Sequence, residues 1–226
     1  MKLVIFDVDG TLSDSQHQIC AAMDWGFAQL GLPVPPRSAI LSIVGLSLPE
    51  AVAQLVPQES AATQARIVEF YKDSYKTRRI AEPAPLFAGA RDCLDRLAGR
   101  EDLLLGVATG KSRRGLDALI EHHGLSGYFI TRQVADDHPS KPHPSMLFTA
   151  LAEGGVAARD AVMIGDTTYD IEMGRSAGLA TIGVGWGYHP VEELVQAGAD
   201  RIVADFVALE AAIGELLGEE ACAPGT

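Results

Sequence analysis

The pattern of apolar and polar positions divides the chain into a first strand, a helical stretch and a region of alternating strands and helices. Residues 3–6 (LVIF) are apolar and partly β-branched, which predicts a buried strand. Residues 15–79 follow a helical pattern without a convincing strand, with helices predicted at 15–31, 38–44, 48–55 and 61–78. The sequence therefore predicts an all-helical insert, residues 15–82, directly after the first strand.

Residues 83–226 show alternating strand and helix patterns. Strands predicted at 103–108, 128–131, 161–164 and 180–184 are separated by helical segments. Such alternation is typical of βαβ units, which build a parallel sheet with helices on both faces. We therefore predict an α/β fold with a Rossmann-like parallel-sheet core, built from residues 1–14 and 83–226 and interrupted by the all-α insert.

Composition narrows the classes of function. A chain of 226 residues can form one large domain or a core with a smaller insert, and a hydrophobic content of 47% is enough for a core. The formal net charge of −12 argues against nucleic-acid binding, which needs clustered Lys and Arg. Three cysteines without a CxxC pair predict neither a disulfide framework nor a zinc site. No apolar run approaches the length of a membrane span and no signal peptide precedes the first strand, so we expect a cytoplasmic protein without a membrane partner.

Two carboxylates follow the first strand. Asp7 and Asp9 come directly after the apolar run, and Gly10 and Thr11 then break the strand into a turn. Such a turn can bring both acids into one crevice beyond the carboxyl end of the strand, where open α/β sheets bind their ligands. Because Asp and Gly are also ordinary turn residues, this motif alone does not decide between a site and a solvated loop.

Further polar groups follow three other predicted strands. Thr109 lies at a strand-to-helix turn suited to phosphate, although a helix cap is an ordinary alternative. Lys141 lies in a loop stiffened by prolines, and Asp166 and Asp170 lie where the next helix begins. With the first two carboxylates, these groups supply a nucleophile, an acid/base, a phosphate-oxygen donor, a cation and metal-binding carboxylates. That inventory predicts phosphoryl transfer through an aspartyl-phosphate.

In these four places the chain resembles the haloacid dehalogenase-like hydrolases. The motifs are DVDGT at 7–11, ATG at 108–110, KPHP at 141–144 and GDTTYD at 165–170. The resemblance extends over the whole core, and it identifies the helical insert as the small helical cap of that family. By general pattern, the phosphoglycolate-phosphatase-like subgroup is the most similar.

The resemblance implies catalytic roles. Asp7 would attack phosphorus, and Asp9 would protonate the leaving oxygen and then activate water. Mg²⁺ would bind the carboxylates of Asp7 and Asp166 and the main-chain carbonyl of Asp9, with Asp170 in support. Charge physics agrees, because a carboxylate that approaches a phosphate dianion needs a hard cation and Lys141 to neutralise the repulsion.

Substrate contacts are predicted in two places. The transferred oxygens would be held by Thr109, by the amides of Val8, Asp9 and Gly110, and by the main chain at Gly10. Specificity would come from the cap, where the candidate contacts are Gly45, Ser47, Lys76 and Arg79. The expected substrate is a small phosphorylated metabolite, with 2-phosphoglycolate the first guess, and the expected assembly is a monomer or a homodimer.

Several alternatives stay open. A phosphomutase of the β-phosphoglucomutase type shares every core motif, and a pyrophosphatase is also compatible with them. A dehalogenase is disfavoured, because displacing halide needs neither a leaving-group acid nor a metal. A catalytically silent binding module on the same scaffold is the alternative from a different class.

Overall fold

A computed structural model describes residues 1–77 and 84–218, with the side chains of residues 76 and 77 excepted. The strands are β1 (Lys2–Phe6), β2 (Leu103–Thr109), β3 (Phe129–Val134), β4 (Ala161–Gly165), β5 (Ala180–Val184) and β6 (Arg201–Val203). They form a six-stranded sheet in the order β3-β2-β1-β4-β5-β6, and every neighbouring pair is parallel. The predicted α/β fold with a parallel sheet is confirmed.

Ten α-helices accompany the sheet in the described residues. They are α1 (Gln16–Ala28), α2 (Arg37–Leu41), α3 (Leu48–Leu55), α4 (Ala61–Thr77), α5 (Ala90–Ala98), α6 (Arg113–His122), α7 (Ser145–Gly154), α8 (Thr168–Ser176), α9 (Val191–Ala197) and α10 (Phe206–Leu216). Among the described residues, no helix is both long and apolar enough to cross a lipid bilayer.

The central strand β1 explains why its apolar run is continuous. Val4 and Phe6 belong to a core cluster on one face of the sheet, which includes residues of α5, α6 and α10. Leu3 and Ile5 belong to a second cluster with residues of α7 and α8 on the other face. Because successive side chains of a strand point to opposite faces, a strand covered on both sides must be apolar at every position.

The helical insert has a core of its own. Helices α1–α4 surround buried apolar side chains that include Met23, Phe27, Ile40, Val52 and Ile67. Burial of this kind stabilises each large side chain by about 1.5–3 kcal/mol. A separate cluster supports the predicted division into a core (1–14 and 83–226) and a cap (15–82), which stays a prediction.

The structure differs from the sequence-based assignment in several element bounds. Strand β3 extends to Val134, beyond the predicted end at residue 131, and α2 ends at Leu41 rather than 44. Strand β6 and helices α9 and α10 were not predicted. Strand β6 spans only three residues, of which Val203 alone is buried, so no alternating pattern marks it.

Candidate active site

The predicted motifs meet at the carboxyl edge of the sheet. Strands β1, β2 and β4 are neighbours at its centre, so Asp7, Thr109 and Asp166 emerge side by side. The main-chain N–H of Asp7 donates to the carbonyl of Ile164 at 2.8 Å, which extends the pairing of β1 with β4 to the first catalytic candidate. Asp7, Thr109 and Asp166 are all buried. The structure therefore brings Asp7 and Asp166 together, although they are more than 150 positions apart in sequence.

The turn after Asp9 depends on glycine. Gly10 has φ of +90°, which favours glycine, and its N–H donates to the carbonyl of Ser13 at 2.9 Å. A Cβ at Gly10 would lie 2.2 Å from Oδ2 of Asp166. The backbone at Gly10 therefore lies directly against a candidate metal ligand.

Lys141 links the nucleophile candidate to the fourth motif. Its Nζ donates to Oδ1 of Asp7 and to Oδ1 of Asp170, at 2.7 Å in each case. Burial disfavours the charged form of Lys141, but the carboxylates of Asp170 and Asp7 outweigh it and raise the pKa of the ammonium. Lys141 therefore lies inside the site as a fixed cation rather than on the solvated surface.

The two acids of the fourth motif also accept hydrogen bonds from neutral donors. The Thr11 hydroxyl donates to Oδ1 of Asp166 at 2.8 Å, and the N–H of Tyr188 donates to Oδ2 at 2.9 Å. Oδ2 of Asp170 accepts from the N–H and the hydroxyl of Thr167, which forms a capping box at the start of α8. Asp170 therefore caps a helix and contacts Lys141 at the same time.

Three carboxylates can hold a metal ion. Oxygens of Asp7, Asp166 and Asp170 lie within 4.8 Å of one another, and all three side chains are buried. Oδ2 of Asp7 is buried without a hydrogen-bond partner among the described residues. Burial raises the pKa of Asp7 to about 7, and burial together with the charges of Asp7 and Asp170 raises the pKa of Asp166 well above its usual range. A hard divalent cation would relieve this repulsion, and oxygen donors suit Mg²⁺. These residues therefore fit the predicted metal.

Asp9 lies outside this cluster of carboxylates, and its side chain has a different partner. Nζ of Lys111 is 2.9 Å from Oδ1 of Asp9, and the Lys111 side chain is 19% exposed. Burial lowers the pKa of the ammonium, but Asp9, Tyr75 and Asp7 together outweigh burial, so the pKa is raised. Lys111 was not predicted as a site residue, because a lysine in a turn is ordinary surface in the absence of its tertiary partner.

Thr109 does not cap a helix. Its Oγ1 accepts from the N–H of Lys111 at 3.2 Å, inside the turn that follows β2. The cap of α6 is Ser112, whose hydroxyl accepts from the N–H of Gly115 at 3.3 Å. The Thr109 side chain, 1% exposed, therefore lies at the strand end beside Asp7, as a phosphate-oxygen donor requires.

The predicted turn of the insert lies against the sheet edge. The N–H of Ser47 donates to the hydroxyl of Ser140 at 2.8 Å, next to Lys141. A Cβ on Gly110 would lie 2.5 Å from the carbonyl oxygen of Gly45, so the two backbones are in close contact. The other two cap candidates, the Lys76 side chain and Arg79, lie outside the described residues.

A second contact between the insert and the core was not predicted. The carbonyl of Ser42, after α2, accepts from Nε2 of His189 and from the Tyr169 hydroxyl, at 3.1 Å in both cases. Nδ1 of His189 accepts from the N–H of Thr168 at 3.2 Å, which assigns the Nε2–H tautomer.

An open cleft of about 560 Å³ lies between the insert and the core. Its lining includes Leu46 and Gln54 from the insert, and Lys141, His143 and Tyr169 from the core. His143 therefore lines the cleft, and its Nδ1 also accepts a hydrogen bond from the N–H of Ser145 at 3.2 Å. The Lys141 side chain is 0% exposed, so the cleft does not reach its ammonium group, and none of Asp7, Asp166 and Asp170 lines it.

Comparison with known proteins supports the same family. The profile of haloacid dehalogenase-like hydrolases matches residues 4–184. A relative from Dickeya dadantii, named probable phosphatase IndB, is 36% identical, over 95% of this chain and 94% of the relative. A phosphoglycolate phosphatase from Yersinia pestis is 30% identical, over 93% of this chain and 92% of the relative.

A solved structure agrees with these relatives. The crystal structure of a predicted phosphatase from Clostridium acetobutylicum superimposes with a TM-score of 0.85 at 28% identity, covering 95% of this chain and 98% of that one. The comparisons confirm the predicted fold and the predicted enzyme class, a phosphatase-type hydrolase. With the profile extending from β1 through β5, the chain belongs to the haloacid dehalogenase-like hydrolases.

Proposed function

We propose that the chain is a Mg²⁺-dependent phosphatase that hydrolyses small phosphate monoesters through an aspartyl-phosphate on Asp7. The observation that carries the proposal is the buried group of Asp7, Lys141, Asp166 and Asp170 at the carboxyl edge of the sheet. Buried charges of this kind are costly unless they are paired or bind a metal. Such a group is typical of a functional site.

The residues of the chain divide the chemistry between them. Lys141 stabilises the ionised form of Asp7, which attacks phosphorus, and contributes positive charge where the transferred oxygens would lie. Asp9 gives a proton to the leaving oxygen and then accepts one from the attacking water. Thr109 and the main chain at Gly110 bind the transferred oxygens. Bound at Asp7, Asp166 and Asp170, with the Asp9 carbonyl, Mg²⁺ would neutralise the charge of the phosphoryl group.

We propose that the insert acts as a cap that closes over the substrate. Its turn at 45–47 lies against Gly110 and Ser140, and it is joined to the core after residue 14 and again near residue 84. A lid attached there can exclude water from the reacting phosphate. Specificity is then expected from the cap surface over the site, including Gly45 and Ser47.

The substrate is proposed to be a small phosphorylated metabolite. Relatives named phosphoglycolate phosphatase make 2-phosphoglycolate the first compound to test.

The described cysteines, Cys20 and Cys93, are both free, which supports the expected reducing, cytoplasmic location. A monomer or a homodimer stays the expected assembly.

The test is phosphate release from para-nitrophenyl phosphate and from a panel of phosphorylated metabolites, with Mg²⁺ and with EDTA. Borohydride reduction during turnover would convert an acyl phosphate at Asp7 to homoserine, which peptide mass spectrometry detects. The proposal predicts Mg²⁺-dependent release and homoserine at position 7. Isomerised esters without phosphate release would favour the phosphomutase, and no turnover of any ester would favour a silent module.

A further inference from the structure

The proposed function makes Asp9 a marker for the position of the leaving group. An acid that protonates the leaving oxygen must approach it to hydrogen-bond distance, about 2.6–3.2 Å. Side chains that surround Asp9 therefore contact the alcohol part of the substrate rather than the phosphoryl group. This reasoning rests on the proposed function, and it directs attention to Lys111, which contacts the Asp9 carboxylate.

Lys111 is held at this position by its own backbone. Its N–H donates to Oγ1 of Thr109 at 3.2 Å, and its carbonyl accepts from the N–H of Ala135 at 3.2 Å. The ammonium lies 2.9 Å from Oδ1 of Asp9. It is separate from Lys141, which contacts Asp7 and Asp170. The site therefore contains two ammonium groups, one beside the nucleophile and one beside the acid.

Two tyrosines of α4, Tyr71 and Tyr75, are near enough to Asp9 for its charge to raise the pKa of both hydroxyls. The hydroxyls of Tyr71 and Tyr75 are 3.3 Å apart, and their ring centroids are 5.6 Å apart. Burial raises the pKa of Tyr75, while the nearby Lys111 ammonium acts against this rise, so both hydroxyls stay protonated donors. Hydrogen-bond donors from the core and from the insert therefore gather where the alcohol would lie.

We propose that Lys111, assisted by Tyr75, binds a carboxylate on the leaving alcohol, so that the preferred substrates are short phosphorylated hydroxy acids. The carboxylate carbon of a two-carbon hydroxy acid lies two bonds of about 1.5 Å from the ester oxygen. It can therefore contact Lys111 while Asp9 contacts that oxygen. One ammonium matches the single charge of a carboxylate, whereas a second phosphate dianion would need more positive charge.

The test compares a charged ester with a neutral ester of the same shape. The substrates are 2-phosphoglycolate and 2-phosphoglycolamide, and the proteins are wild type, Lys111→Met and Lys111→Arg. The control variant, Arg114→Met, removes an equal charge from an exposed position three residues away. The readout is the ratio of kcat/KM for the acid to kcat/KM for the amide. Glycerol phosphate and a bisphosphate complete the panel.

The ratio should fall by about 10- to 100-fold in Lys111→Met, since a hydrogen bond between charged groups is lost. It should be largely retained in Lys111→Arg and unchanged in Arg114→Met. Equal losses on acid and amide would show that Lys111 serves only Asp9 and would overturn the assignment. A wild type that hydrolyses esters without preferring the acid, or that prefers the bisphosphate, would overturn it too while leaving the phosphatase intact.

Binding gives a second measurement that needs no turnover. Calorimetry with 3-phosphonopropionate and its amide, in the presence of Mg²⁺, reports recognition even where Lys111→Met is too slow to assay. The wild type should bind the acid more tightly than the amide, and Lys111→Met should lose that difference. If the variant keeps the full difference, the carboxylate is bound elsewhere and the proposal fails.

Discussion

Replacing Gly110 with alanine should impair turnover by holding the insert away from the sheet. A Cβ on Gly110 would lie 2.5 Å from the carbonyl oxygen of Gly45 and 2.6 Å from that of Leu46. Both contacts are with backbone, so the turn at 45–47 would have to move. Gly110 is not among the glycines with positive φ, so alanine suits the local backbone of the strand-to-helix turn. The strain therefore falls on the contact between insert and core.

The size of the effect follows from that contact. Forcing an extra methyl group into a close-packed contact costs about 1–3 kcal/mol. If closure completes the site, as proposed, that cost reduces the closed population, and with it kcat/KM, by about 5- to 150-fold. If the whole folded state carried the strain, Tm would fall by about 2–4 °C for each kcal/mol in a chain of this length. Moving the insert relieves the strain, so the Tm of Gly110→Ala should fall only slightly. We therefore expect the cost in kcat/KM, expressed as a free energy, to be larger than the loss of stability calculated from Tm.

The assay measures kcat/KM and calorimetric Tm on the same preparations. Gly99→Ala, at the end of α5, is the matched control, since a Cβ there lies no closer than 3.5 Å to its neighbours. The control should retain wild-type activity. Wild-type kcat/KM in Gly110→Ala would refute the reasoning that closure against this glycine is required.

Asp7→Asn should abolish turnover without loss of the fold, because an amide is neither charged nor nucleophilic; near wild-type kcat, in protein checked for deamidation, would rule out the covalent mechanism. Asp9→Asn should slow alkyl esters more than para-nitrophenyl phosphate, whose leaving group needs little protonation, and equal losses would argue against an acid role in the limiting step. EDTA should abolish activity and Ca²⁺ should inhibit, since Ca²⁺ accepts a larger, irregular shell; full activity in Ca²⁺ alone would contradict the metal assignment. Thr11→Val should weaken Mg²⁺ binding by about 10- to 100-fold, because Asp166 loses the hydroxyl donor at 2.8 Å, and an unchanged Mg²⁺ titration of Tm would be the contrary result.

The parts of the site that could be predicted depend on local chemistry. Asp7 follows an apolar run that only a buried strand explains, and Gly10 marks the turn after it. Asp166 follows a second such strand. Since parallel strands end at the same edge of a sheet, the sequence predicts that these acids lie near one another. Strand order was not needed for that step.

The parts that could not be predicted depend on tertiary contacts. Lys111 is one basic residue among 18, and nothing local distinguishes it from a solvated lysine. Tyr188 donates a hydrogen bond to Asp166 through its main-chain N–H. Because every residue except proline has this group, the sequence does not indicate the contact. The tyrosines of α4 come near Asp9 because of the way the insert packs on the core, and helical periodicity does not encode that packing. The sequence pattern therefore predicts the motif residues and does not predict the residues that contact them in the folded structure.

The hydrogen bonds to the carbonyl of Ser42 connect the position of the insert with the metal-binding carboxylates. The two donors, Tyr169 and His189, belong to the segments that position Asp166 and Asp170, and His189 also accepts from the first turn of α8. The position of the insert and the arrangement of the metal carboxylates therefore share the same hydrogen bonds.

Two equilibria that share contacts are coupled, and the coupling is reciprocal. A ligand that favours closure must tighten Mg²⁺ binding by the same factor by which Mg²⁺ tightens that ligand. A cell with little free Mg²⁺ would then lose affinity for the substrate as well as catalysis, and abundant substrate would partly compensate for scarce metal. Removing the imidazole of His189 should reduce this cooperativity. The affinity for Mg²⁺ would then depend less on the substrate concentration, and the affinity for the substrate less on the Mg²⁺ concentration.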